Sequence, residues 1–163
     1  MTTTTDMTTP DISERTAGDP EQGDRTSLSL EYDLSHPPEK VWRALTDPAL
    51  LAEWLLPVVG FRPEPGTAFM FRTQAYPGWD GTVHGEVLEV EPHRTLRYAW
   101  HVPFAGAPLD TVVAFTLAPT PSGTRLTIVQ SGFAPGQQRA LGGARYGWTL
   151  MAGKLTTLLA RTS

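Results

Sequence analysis

The sequence predicts an α+β fold in which six antiparallel strands form a curved sheet that buries one face against a long C-terminal helix. Three observations carry this: six short segments alternate apolar with polar residues, turn residues separate the last five of them, and the final stretch repeats apolar residues at helical spacing. Only that final stretch is large enough to cover a six-stranded face.

The first strand is read from Leu28, Leu30, Tyr32 and Leu34, which alternate with Ser29, Glu31 and Asp33. Ser35 is then placed to cap a helix, with Pro37 and Pro38 in its first turn, where their missing N–H groups cost little. Val41, Trp42 and Leu45 give that helix a buried stripe. Asp47 before Pro48 starts a second short helix, with Leu50, Leu51 and Trp54 on its apolar face, and Pro57 stops it. Strands follow near 67–73, 82–90, 95–101, 111–117 and 124–130. The breaks between them fall at Pro77-Gly78, Glu91-Pro92, 103–108 and 119–123, and such short connections make neighbours antiparallel. The terminal helix, about 137–160, sets Ala140, Leu141, Ala144, Trp148, Met151, Leu155, Leu158 and Leu159 on one face. Gly142, Gly143, Gly147 and Gly153 each weaken it by up to about 1 kcal/mol relative to alanine. Such a cost implies either close packing against the helix or a kink.

Composition narrows the function. The chain has 163 residues, enough for one domain with a sizeable core, and no internal repeat. It contains no cysteine, which removes disulfides, thiolate nucleophiles and Cys-based metal sites. Its net charge of −4 sits in residues 1–26, where six acids oppose Arg15 and Arg25. That stretch is rich in Thr, Asp and Gly and almost free of large apolar side chains, so it reads as a disordered acidic tail ahead of a domain spanning 27–163. The domain itself is nearly neutral and lacks a Lys/Arg stripe, so nucleic acid is not an expected partner. No apolar run approaches the roughly 20 residues that cross a bilayer, and no export signal is visible; a cytoplasmic location without membrane contact is the expectation.

Several stretches add a resemblance. Pro37-Pro38-Glu39-Lys40-Val41-Trp42-Arg43-Ala44-Leu45-Thr46-Asp47-Pro48, followed by Leu50-Leu51-Ala52-Glu53-Trp54, is similar to the opening of one branch of the START-like, or SRPBCC, superfamily. That branch is named after the activator of the 90-kDa heat-shock protein ATPase. Gly85-Glu86-Val87-Leu88-Glu89-Val90-Glu91-Pro92 with Arg94-Thr95-Leu96-Arg97-Tyr98-Ala99-Trp100 resembles its central hairpin. Gly123-Thr124-Arg125-Leu126-Thr127, Ser131-Gly132-Phe133 and Gly147-Trp148 resemble its last strand and helix. The resemblance implies a helix-grip fold over about 27–160. For activity it implies a range: carriers of apolar molecules, cyclases acting on polyketides, and modules that contact a chaperone.

In a helix-grip fold the space between sheet and helix is where a ligand is held. Strand parity points Phe69, Phe71, Leu96, Tyr98, Trp100, Val113, Phe115, Leu117, Leu126 and Ile128 inward, together with Trp148 and Met151. These side chains either fill the interior or leave a residual cavity; both readings stand at this level. Gln130 continues the inward parity and is the most informative polar residue, because a buried amide needs partners and a ligand can be one. The expected function is binding of an apolar or aromatic small molecule, with Trp54, Phe69, Phe71, Tyr98, Trp100, Phe115, Gln130, Trp148 and Met151 as the lining. No catalytic step, cofactor or metal is expected. An enzyme would have His84, His101, Glu86 and Asp80 as its acid–base candidates, with a bulge in the third strand deciding which way His84 and Glu86 face. The loops 76–81 and 103–108 are placed to rim the cavity mouth, although Trp79 and Phe104 could equally fold onto the body or meet a second subunit. A chaperone is the alternative partner, and both monomer and homodimer are compatible with the sequence.

Overall fold

The computed structural model describes residues 15–16, 26–75 and 77–162. Apart from Arg15, Thr16 and Thr26, the acidic segment expected to be disordered lies outside the described residues. The elements run β1 (Arg15–Thr16), β2 (Ser27–Leu34), α1 (Pro38–Thr46), α2 (Pro48–Trp54), β3 (Val58–Val59), β4 (Ala68–Arg72), β5 (Thr82–Glu91), β6 (Thr95–Val102), β7 (Leu109–Thr120), β8 (Gly123–Ser131) and α3 (Gln138–Arg161). The strands form one antiparallel sheet in the order β1-β2-β8-β7-β6-β5-β4-β3. This is the helix-grip arrangement, with seven strands from residue 27 onward where six were expected. The additional one, β3, pairs Val58 with Phe71 and Val59 with Met70. Two residues are too few to show a period of two, and Pro57 before them reads as a helix stop.

The two short helices follow their capping chemistry, with one change. Asp47 Oδ1 accepts from the Ala49 N–H at 2.9 Å and starts α2 as its sequence suggests. Ser35 does not cap α1. The cap position is Pro37, held extended at φ −70° and ψ 157°, with no side-chain cap bond. A following proline drives the preceding residue out of helical geometry, so Pro38 moves the helix start past Ser35. Lys40 then ties α1 to the far end of the chain, donating to the Thr162 carbonyl at 2.7 Å.

Inward parity holds on each long strand. Leu28, Leu30, Tyr32 and Leu34 of β2 face Gln130, Ile128, Leu126 and Thr124 of β8 in register, and all eight are buried. Trp100 of β6 pairs with Gly85 of β5, which pairs in turn with Phe69 of β4. Gly85 is required there: a Cβ would lie 2.3 Å from the Phe69 ring, which occupies the space above it. A bulge, the possibility that left the facing of His84 and Glu86 open, is present between Val87 and Glu89. It leaves Leu88 exposed and returns Val90 to the inner side, while His84 and Glu86, before it, face outward.

Helix α3 covers the concave face and buries Trp148, Ala152, Leu155, Leu158 and Leu159. Its four glycines are not explained by close packing within the described residues. A Cβ at Gly142, Gly143, Gly147 or Gly153 would meet nothing within 4 Å.

Candidate functional site

Beneath the N-terminal half of α3 the sheet and helix do not close, and a cavity of about 440 Å³ remains. Its floor is the ends of the central strands: Val83 of β5, Trp100 and Val102 of β6, Leu109 of β7 and Gln130 of β8. Its roof is α3, through Ala140, Gly143, Ala144, Gly147, Trp148 and Met151. Leu56, Thr73, Trp79 and Phe104 close the sides. None of these described lining side chains is ionisable.

The roof explains two of the helix glycines. Gly143 and Gly147 lie one turn apart and both line the cavity, and a Cβ at either would meet nothing within 4 Å. Both positions cost helix stability relative to alanine, and both leave the roof free of side chains at those points. The side walls come from the two turn-rich loops. Trp79 and Phe104 approach to 5.3 Å between ring centroids, and the Trp79 indole N–H donates to the Thr82 carbonyl at 2.8 Å. Of the alternatives open at the level of sequence, both rings fold back onto the body at the cavity edge.

The nine residues expected to line the site separate into two groups. Trp100, Gln130, Trp148 and Met151 line the cavity. Trp54 of α2 and Phe69, Phe71, Tyr98 and Phe115 of the sheet do not; they are packed ring on ring away from it. Phe69 meets Phe61, Phe71 and Tyr98 edge-on at 5.1 to 5.4 Å. Phe115 packs edge-on against Trp54, whose indole N–H is held by the Ala44 carbonyl at 2.8 Å. Parity gives the face on which a side chain lies. It does not give the depth along the strand at which helix and sheet part, and that depth is what divides the two groups. The lining residues missed from sequence, Leu56, Val83, Val102 and Leu109 among them, sit at or near strand and helix ends, where the alternation used to assign the inner face runs out.

Gln130 is the polar centre of the site. It is 1 % exposed, and its hydrogen bonds fix the amide orientation. The Trp148 indole N–H, which can only donate, reaches Oε1 at 2.8 Å. The amide nitrogen must therefore face Thr111, whose Oγ1 accepts from Nε2 at 2.9 Å. The Thr111 hydroxyl in turn donates to the Trp100 carbonyl at 2.9 Å. This chain of bonds locks the Trp148 ring over the floor, 5.5 Å from Trp100 and 5.7 Å from Phe115 between centroids.

The acid–base candidates lie elsewhere. His84 and Glu86 are exposed on the outer, convex face. His101 pairs across the strands with His84, their rings 6.1 Å apart, and its Nδ1 contacts the Asp110 carboxylate. Asp80 is held below its usual range by hydrogen bonds from the hydroxyl and N–H of Thr82. None of the four touches the cavity.

Comparison with known proteins fits this architecture. The model of the family described as activator of Hsp90 ATPase homolog 1-like protein matches residues 35–160. The chain belongs to that family. Solved structures similar to this chain include protein MLL2253 from Mesorhizobium loti, 47 % identical, covering 84 % of this chain and 98 % of that one with a TM-score of 0.78. Protein CV1439 from Chromobacterium violaceum is 30 % identical over 84 % of this chain and 99 % of its own, with a TM-score of 0.68. DynU16, a protein of the dynemicin biosynthetic locus, shares the fold at 24 % identity and a TM-score of 0.69, over 85 % of this chain and 48 % of its own. No curated protein matches the sequence. Among the described residues no helix is long and apolar enough to cross a membrane.

Proposed function

We propose that this member of the family binds an apolar, aromatic-compatible small molecule in the cavity between sheet and α3. One observation carries the reading: about 440 Å³ of space, walled by Trp79, Trp100, Phe104 and Trp148, lies under a helix that presents only glycine at two of its lining positions. Volumes of roughly 300 to 1,000 Å³ lined mostly by apolar and aromatic groups suit small ligands. The apolar walls of this open cavity face water when nothing is bound, so an apolar occupant gains by taking that surface out of water. The reading is one of binding, and no catalytic step is part of it.

The experiment is native mass spectrometry of the protein purified from its own host. The expected spectrum contains a species heavier by one small molecule, absent when the same host expresses Met151→Trp, whose larger side chain takes up the space. A spectrum of bare protein alone, from several growth conditions, would count against the proposal. The family's description raises contact with a chaperone as the competing role. That role would use the outer surface, so a chaperone pull-down equally efficient with wild type and Met151→Trp, together with an empty spectrum, would favour it.

A further inference from the structure

The hydrogen bonds around Gln130 leave a specific surplus. Its Nε2 carries two hydrogens and has one acceptor, Thr111 Oγ1, among the described residues. The second N–H belongs to a side chain that is almost wholly buried and lines the cavity. Trp100, in register opposite Thr111, lines the same space, and its indole N–H has no acceptor among the described residues. Two donors thus stand without a protein acceptor on one floor, the amide of buried Gln130 and the indole of half-buried Trp100. The Gln130 N–H is the buried one, and a buried donor without a partner costs about 1 to 3 kcal/mol, which an occupant that supplies an acceptor recovers. The opposite chemistry is poorly served: no described lining side chain is cationic, so an anionic head group would be desolvated without a counter-charge.

We infer that the cavity selects an uncharged, flat molecule carrying a carbonyl-type acceptor oxygen, which takes hydrogen bonds from the Gln130 amide and the Trp100 indole. This rests on the binding reading above and adds the ligand's chemical class to it. The flat body lies against the Trp148 and Phe104 rings, and the oxygen is the one polar atom that the floor accommodates. A fatty acid or other carboxylate is discriminated against while ionised.

Three probes of matched shape separate the possibilities in equilibrium dialysis at pH 7: 2-acetylanthracene, 2-ethylanthracene and anthracene-2-carboxylate. The ketone should bind about tenfold more tightly than the ethyl compound, a factor equivalent to about 1.4 kcal/mol, and the carboxylate more weakly than either. Gln130→Met and, separately, Trp100→Phe should each lower the ketone-to-ethyl ratio toward one. Trp100→Phe leaves the Gln130 bonds in place, so it carries the test if Gln130→Met does not fold. Equal binding of ketone and ethyl compound by the wild type would overturn the inference while leaving the binding reading intact. So would a ratio unchanged in the folded variants, or a carboxylate bound as tightly as the ketone. Failure of all three probes to bind would overturn both.

Discussion

At the scale of single residues, burial without a partner and titration near neutral pH give the sharpest expectations. Tyr98 is 1 % exposed and its hydroxyl finds no hydrogen-bond partner among the described residues; burial pushes the phenol well above its ordinary range. The hydroxyl is a liability to the folded state, so Tyr98→Phe should stabilise the protein by about 1 kcal/mol. A higher urea midpoint at unchanged slope checks this. His36 behaves differently. Partial burial, and then the Lys40 ammonium whose Nζ lies 3.2 Å from Nδ1, hold its imidazole below the ordinary value of 6.5. The unfolded chain therefore takes up a proton at His36 before the folded one does. Its contribution to stability is undiminished above about pH 6.5 and is lost as pH falls from there through the depressed folded value. Melting temperature should drop on acidification below 6.5, and His36→Asn should flatten that part of the profile. An unchanged slope in the variant would show that other groups cause it.

At the scale of elements, the glycines separate structural need from retained space. Gly85 sits under the Phe69 ring, and Gly85→Ala forces that ring to move; a loss of roughly 1 to 3 kcal/mol in chemical denaturation is expected. Gly142 in α3 faces open space at helical geometry, and Gly142→Ala should add up to about 1 kcal/mol. The sequence showed both glycines and could not tell their roles apart, because the distinction depends on what the neighbouring element brings to each. The same limit governs the strands. Alternation in β2, β6, β7 and β8 was legible, and with it the inward face, since period two is a local property. Gln130 was legible as a buried amide for the same reason. The two-residue β3, the position of Trp79 and Phe104, and the depth at which α3 leaves the sheet all depend on contacts between segments distant in sequence. No periodicity encodes those contacts.

At the scale of the whole molecule, the sheet and helix enclose two compartments. One is solid: Phe61, Phe69, Phe71, Tyr98, Phe115 and Trp54 interlock, with α1 and α2 packed at that end. The other is hollow, between Trp100 and Trp148 on one side and the Trp79–Phe104 pair on the other. The Gln130 chain of hydrogen bonds stands at the boundary and keeps Trp148 from collapsing inward. Stability resides in the first compartment, so filling the second should leave the fold in place and remove the space. The most direct measurement is a fluorescence titration of wild type and Gly147→Leu with 1-aminoanthracene, run beside their melting curves. Saturable binding of one probe per wild-type chain is expected, lost in a Gly147→Leu protein that melts at or above the wild-type temperature. Probe binding that survives Gly147→Leu unchanged would contradict this.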